Sequence, residues 1–180
     1  NAIKVLMATG GSTNLIIHLT AIAKRANIDI KLSDFEKISK EIPVLVNVKP
    51  HGTGTVGTSF HDAGGVASLM KELEGRLNTD CLTVTGKTVG ENLADIDMPY
   101  NTDIIRPLDN PLDDRGGIAV LYGNLAPNGA VIKRSAASKN LLNHRGPAKV
   151  FENLEQCQAY LLDDNSDMTA DTVIVLRGFG

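Results

Sequence analysis

Apolar and polar positions along the chain alternate between two periods. In "STNLIIHLTAIAKRA", Leu15, Ile16, Leu19, Ile22, Ala23 and Ala26 fall on one face at helical spacing, which predicts an amphipathic helix. Residues 2–8 also read as helix, and the Gly10-Gly11 pair is its stop signal. "LSDFEKISKE" predicts a short helix capped by Ser33 or Asp34. "PVLVNV" is a continuous apolar run of strand length and reads as a buried strand. A Gly/Thr-rich loop, "HGTGTVGTS", separates it from a helix in "GGVASLMKELEGRL", with Val66, Leu69, Met70 and Leu73 apolar. "CLTVTGKTVGENLAD" predicts a short strand, a turn and a helix started at Lys87-Thr88.

Between residues 95 and 117 the periodicity stops. Three prolines and a glycine pair in "DIDMPYNTDIIRPLDNPLDDRGG" mark a domain boundary or crossing linker. The pattern then turns β-rich. "GIAVLYG" and "GAVIK" flank a Pro127-Asn128-Gly129 turn, "AKVF" and "TVIVLR" are strands, and "NLEQCQAYLLDD" between them is a helix. The fold class expected is α/β. The first residue is not Met and lies within an apolar-periodic segment, and the last follows directly on a strand-like run. The chain is therefore expected to be a piece of a longer one.

Composition narrows the function classes. The 180 residues are 42% hydrophobic and 22% charged, ordinary for a globular protein able to bury a core. A formal net charge of -3 argues against a nucleic-acid binder, whose footprint is basic. No apolar run is long enough to span a membrane, so no membrane partner is expected. The two cysteines, Cys81 and Cys157, form neither a disulfide framework nor a zinc spacing. They fit a reducing compartment, the expected localisation being cytoplasmic, and both read as buried small hydrophobes.

Candidate chemistry concentrates in "GGSTN". A helix stop followed at once by a helix start leaves free N–H groups and a positive dipole end, which suits a carboxylate or phosphate. Ser12, Thr13 and Asn14 are the substrate-binding candidates, with Ser12 as N-cap. His18, at the edge of the apolar face, joins them as a weaker candidate, since a histidine so placed is usually structural. Gly52, Gly54 and Gly57 match G-x-G-x-x-G, the basis of a nucleotide-binding alternative, although Pro50 and His51 intervene between strand and loop. A non-catalytic interaction module is the other alternative. "CLTVTGKT" lacks the first P-loop glycine, where Cys81 stands. His61-Asp62 reads as a polar helix end, and Asp109, Asp113 and Asp114 as a solvated loop. No complete catalytic constellation and no metal-ligand spacing emerges from the residues.

Six stretches in order carry a further signal: "GGSTNLIIHLTAIA", "FHDAGGVASLMKEL", "LTVTGKTVGENL", "IIRPLDNPL", "GGIAVLYGNLAPNGAVIK" and "GPAKVFENLEQC". Together they resemble the IlvD/Edd dehydratase family, which comprises dihydroxy-acid dehydratase, 6-phosphogluconate dehydratase and the aldonate sugar-acid dehydratases. The resemblance implies a hydro-lyase that converts a 2,3-dihydroxy or sugar acid to a 2-keto(-3-deoxy) acid. It implies an iron–sulfur cluster acting as Lewis acid on the departing hydroxyl, a Mg²⁺ ion, and a homodimer or tetramer. It also implies a division of the chain. Residues 1–104 would be the C-terminal part of an α/β cluster-binding domain, and residues 105–180 the start of a β-barrel-like swivelling domain.

The departures from the family pattern matter as much. The cluster cysteines, the metal-binding glutamate and the catalytic serine of the family all lie outside this stretch. No catalytic residue and no metal ligand carries over, and the 180 residues alone are expected to be inactive. "HGTGTVGTS" departs from the usual family form. The stretches after "GAV" and before "LRGFG" favour the aldonate branch over dihydroxy-acid dehydratase of branched-chain amino-acid biosynthesis.

Overall fold

The computed structural model describes residues 1–99 and 101–179. They form two compact units, residues 1–136 and 137–180.

The first unit is mainly helical. It holds α1 (Ala2–Thr9), α2 (Asn14–Arg25), α3 (Leu32–Glu41), α4 (Thr58–Asp62), α5 (Gly65–Glu72) and α6 (Val89–Leu93). A two-stranded antiparallel sheet, β1 (Ala119–Leu121) and β2 (Ala130–Ile132), completes it, with Val120 opposite Val131. The expected hairpin is thus present, turning through Gly129 at φ 99°. The core collects Leu6 and Met7 of α1, Phe35 of α3, and Leu69 of α5 with Leu73 just after it. α1 packs on α3, and α3 on β1.

The run "PVLVNV" is buried as expected, Val44, Leu45 and Val46 being at most 1% exposed. It is not, however, a strand of a sheet. Single bridges join Val44 to Asp113, Val46 to Ile105 and Val48 to Gly54. Its partners are loop segments, so the pairing never extends into a ladder. The Leu45 amide donates to Ala8, and the Arg106 amide donates to Leu45 at 2.8 Å. The proline-rich stretch after residue 100 is therefore laced into this core, with Ile105 and Ile118 fully buried. Lacking a period of its own, it fills its backbone hydrogen bonds from the buried run. Residues 105–136 accordingly pack within the first unit.

Most helix boundaries follow the expectations to within two residues, but α5 ends at Glu72, short of the expected Leu77, α4 begins at Thr58 within the expected loop, and three further local readings change. The N-cap of α3 is Lys31 rather than Ser33 or Asp34, and Asp34 reaches back to accept from the Lys31 amide at 2.8 Å. "CLTVT" makes only one bridge, Leu82 to Thr88, around a turn through Gly86, and Cys81 is exposed, not buried. A two-residue contact cannot cover that side chain. On α2, Ile16 and Ala23 are buried, but Ile22 of the expected apolar face is 65% exposed and Ala26 is exposed. The described residues place nothing over that side of the helix.

The second unit holds β3 (Ala148–Phe151), α7 (Leu154–Leu162) and β4 (Val173–Leu176). β3 and β4 are parallel, Val150 standing opposite Val175, with α7 as the crossover. Asn153 caps α7 by accepting from the Gln156 amide at 2.9 Å. Cys157 is buried as expected. Tyr160 of α7 stacks at 5.2 Å on Phe151, and its hydroxyl donates to Asp167, which also receives Lys149 at 2.6 Å. Among the described residues, four β-strands and seven α-helices make the fold mixed α/β.

Candidate functional site

Gly10 closes α1 in the left-handed region, at φ 59°. Its amide donates to Met7 at 3.2 Å and the Gly11 amide donates to Leu6 at 3.2 Å, the paired arrangement that satisfies the last carbonyls of a helix. A side chain at Gly10 would be strained by that φ and would press on the His51 ring. The "GG" of the motif is therefore a helix stop.

The next three residues start α2. Thr13 is the N-cap by position, with helical dihedrals and no side-chain cap bond. Ser12 does the capping instead: its hydroxyl accepts from the Asn14 amide at 3.2 Å and its carbonyl accepts from the Leu15 amide at 3.1 Å. The Ile16 amide donates to Thr13. The amides of Asn14, Leu15 and Ile16 are thus engaged within the turn.

Ser12, Asn14 and His18 are exposed and Thr13 is half-buried. Asn14 and His18 stand one helical turn apart and share a face. The structure brings all four candidates together on one loop and the first turns of one helix. The His18 side chain makes no hydrogen bond among the described residues and is exposed.

Directly behind the turn lies a polar group that no local sequence pattern marks. The His51 ring and the Ser135 hydroxyl both border Gly10, and Ser135 also borders Gly117. His51 Nε2 donates to the Val46 carbonyl at 3.0 Å, which leaves Nδ1 buried without a partner. Ser135 Oγ is likewise buried and unpartnered. Burial pushes the His51 imidazole below its ordinary value; the Val46 carbonyl opposes this and the Lys133 charge adds to it. Burial also lowers Lys133. His51 is therefore neutral at pH 7, with a lone pair on Nδ1. No periodic or motif signal marks His51 or Ser135. Only the fold carries them to Gly10.

The glycine-rich loop is arranged otherwise than a dinucleotide site requires. The Gly52 amide donates to Val48 and the Gly54 amide to Asn47, so both point into the protein. Asn47 holds the loop further, accepting from the Thr53 amide and donating to Thr53 Oγ1. The segment before the loop makes single bridges, and the helix after Gly57 has five residues. The smallness of Gly52 and Gly54 is explained by packing against Asn47 and Ile104. A nucleotide-binding module built on this loop is not supported.

Metal chemistry finds no seat in the described residues. No group of three or more His, Cys, Asp or Glu side chains converges. Asp113 is committed to Arg134 at 2.7 Å and to the Arg115 amide. The residues present do not fit an iron–sulfur cluster or a Mg²⁺ ion, and no chemical step on either can be derived from them.

With this geometry in view, the likeness to known proteins can be placed on it. Residues 1–92 match the family described as dihydroxy-acid/6-phosphogluconate dehydratase N-terminal, and residues 103–180 match its C-terminal counterpart. The chain belongs to the dihydroxy-acid/6-phosphogluconate dehydratase family. It is 45% identical over 180 residues to a putative dehydratase, IlvD1, of Rhizobium meliloti, covering 100% of this chain and 31% of the relative. To a dihydroxy-acid dehydratase of Methanosphaera stadtmanae it is 44% identical over 179 residues, 98% of this chain and 32% of that one. To an L-arabinonate dehydratase of Rhizobium leguminosarum it is 43% identical over 182 residues, 100% and 31% respectively. The chain spans about a third of the length of the curated relatives it matches.

Proposed function

We propose that this chain is a segment of a hydro-lyase that removes water from a 2,3-dihydroxy or sugar acid to give a 2-keto(-3-deoxy) acid. The observation that carries the reading is the run of both family halves, in order, through a chain 43–45% identical to dehydratases. The preferred substrate class is an aldonate, on the strength of the stretches after "GAV" and before "LRGFG". Relatives are named both as L-arabinonate and as dihydroxy-acid dehydratases, and a branched dihydroxy acid is the second reading. In the proposed whole enzyme, residues 1–104 finish an α/β domain and residues 105–180 open a β-barrel-like one. An iron–sulfur cluster and Mg²⁺ sit on ligands outside residues 1–180. The whole enzyme is a cytoplasmic homodimer or tetramer.

This chain's own contribution is scaffolding, with Ser12, Thr13, Asn14 and His18 offered to the acid's polar end. Ser12 and Asn14 are exposed at the start of α2, where the dipole favours an anion. The test is an assay of the full-length native gene product with L-arabinonate and with 2,3-dihydroxy-3-methylbutanoate, reading 2-keto acid formed. Turnover of the sugar acid well above the branched acid supports the preferred reading, and the reverse order supports the second. No keto acid from either would refute both substrate readings. The isolated 180 residues are expected to form none.

A further inference from the structure

Lys133, just after β2, is half-buried, and among the described residues its ammonium has neither an ion pair nor a hydrogen bond. Other half-buried cations are matched: Lys71 meets Glu74 at 2.9 Å, Arg134 meets Asp113 at 2.7 Å and Lys149 meets Asp167 at 2.6 Å. Taking a charge out of water is costly unless an opposite charge or hydrogen bonds replace the water. Burial alone shifts Lys133, downward, and no acidic neighbour opposes it. Residues 115–136 contain no Asp or Glu, so the segment itself supplies no counter-charge. The Lys133 charge acts on His51, whose Nδ1 is enclosed and unpartnered. Ser135, two residues on, carries a second enclosed and unpartnered atom, Oγ. A cation, a lone-pair acceptor and a hydroxyl are thus gathered in one part of the first unit with their bonding capacity unspent.

We propose that Lys133 holds the carboxylate of a 2-hydroxy acid, with Ser135 and His51 completing the subsite. The proposal deepens the dehydratase reading and rests on it for the choice of acid. Each part of the chemistry matches. The ammonium neutralises the anion, the serine hydroxyl donates to a carboxylate oxygen, and neutral His51 accepts from the adjoining hydroxyl through Nδ1. A protonated ring could not accept, so a histidine kept neutral by burial suits the role. In "GGSTN" the amides of Asn14, Leu15 and Ile16 are engaged within the turn, which leaves the acid's charge to be met by a side chain. Lys133 supplies that charge.

The test uses the full-length native gene product as purified. Its amines are labelled briefly with isotope-coded acetic anhydride, and the peptides are read by mass spectrometry. Labelling is run without ligand and with L-arabinonate, 2,3-dihydroxy-3-methylbutanoate, neutral L-arabinitol or inorganic phosphate. Exposed Lys37 is the control. The expected result is severalfold protection of Lys133 by at least one of the acids, with Lys37 unchanged and no protection by L-arabinitol. Equal protection by inorganic phosphate would make the site a general anion trap and overturn the carboxylate assignment. No protection by either acid, or a Lys133 that takes no label even without ligand, would overturn the proposal. Labelling needs no turnover, so the two readings fail separately. Protection by an acid that yields no keto acid keeps the site and refutes that acid as substrate, whereas keto acid formed with Lys133 unprotected refutes only the site. In Lys133→Met, KM for the protecting acid should rise about tenfold or more with kcat little changed, and Lys133→Arg should recover part of the loss. An unchanged KM in Lys133→Met would overturn the assignment.

Discussion

At the scale of the residue, His51 is the side chain with the largest consequence that its neighbours in sequence do not announce. Its folded-state affinity for a proton is lowered by burial, so the unfolded chain binds the proton more readily. Stability from this group is therefore complete above the unfolded value of about 6.5 and declines as pH falls through the window below it. Lys133 is the charged group that faces it, and a second positive charge beside it deepens the loss. Thermal melts of the intact protein from pH 7.5 to pH 5 should show this fall. The His51→Gln variant should show a shallower one, and parallel profiles for the two proteins would dismiss His51 as the cause. Gly10 and Ser12, by contrast, were legible beforehand, because helix stops and starts are written in local chemistry. The sequence could place a polar turn there, but not the histidine and serine behind it, which come from 41 and 125 positions further along.

At the scale of the element, capping carries much of what holds the short helices. α6 has only five residues, and Thr88 and Glu91 close a reciprocal box at its start, Thr88 Oγ1 accepting at 3.1 Å and Glu91 at 2.7 Å. A helix so short has little propensity of its own to fall back on. Thr88→Ala in the intact protein is expected to cost about 1 kcal/mol in chemical denaturation, and Asn153→Ala at the start of α7 a similar amount. Loss of less than a quarter of that at Thr88 would show that the box is redundant. These helices were readable because both caps and periods are local. The strand reading of "PVLVNV" recovered its burial but not its pairing. An apolar run reports that a segment is inside, while its partners, Ile105 and Asp113, are decided by how a loop more than fifty residues away returns.

At the scale of the whole molecule, α1, α3 and the buried run around Val46 form the centre of the first unit, with Phe35 the largest side chain fully enclosed among the described residues. Phe35→Ala should cost about 3–5 kcal/mol, measured by denaturant midpoint, whereas Ile22→Ala, at a position open in this chain, should change stability little unless another part of the polypeptide covers it. The sequence by itself determined the helices, the hairpin, the β–α–β order of the second unit and, through six ordered motifs, the family. All of these depend on spacing along the chain. Only the tertiary structure decided that the proline-rich stretch belongs to the core, that the glycine-rich loop turns its amides inward, and that His51 and Ser135 stand behind "GGSTN". It also decided which face of α2 stays open. Those are contacts between residues far apart in sequence, and their energies depend on neighbours that no local pattern names.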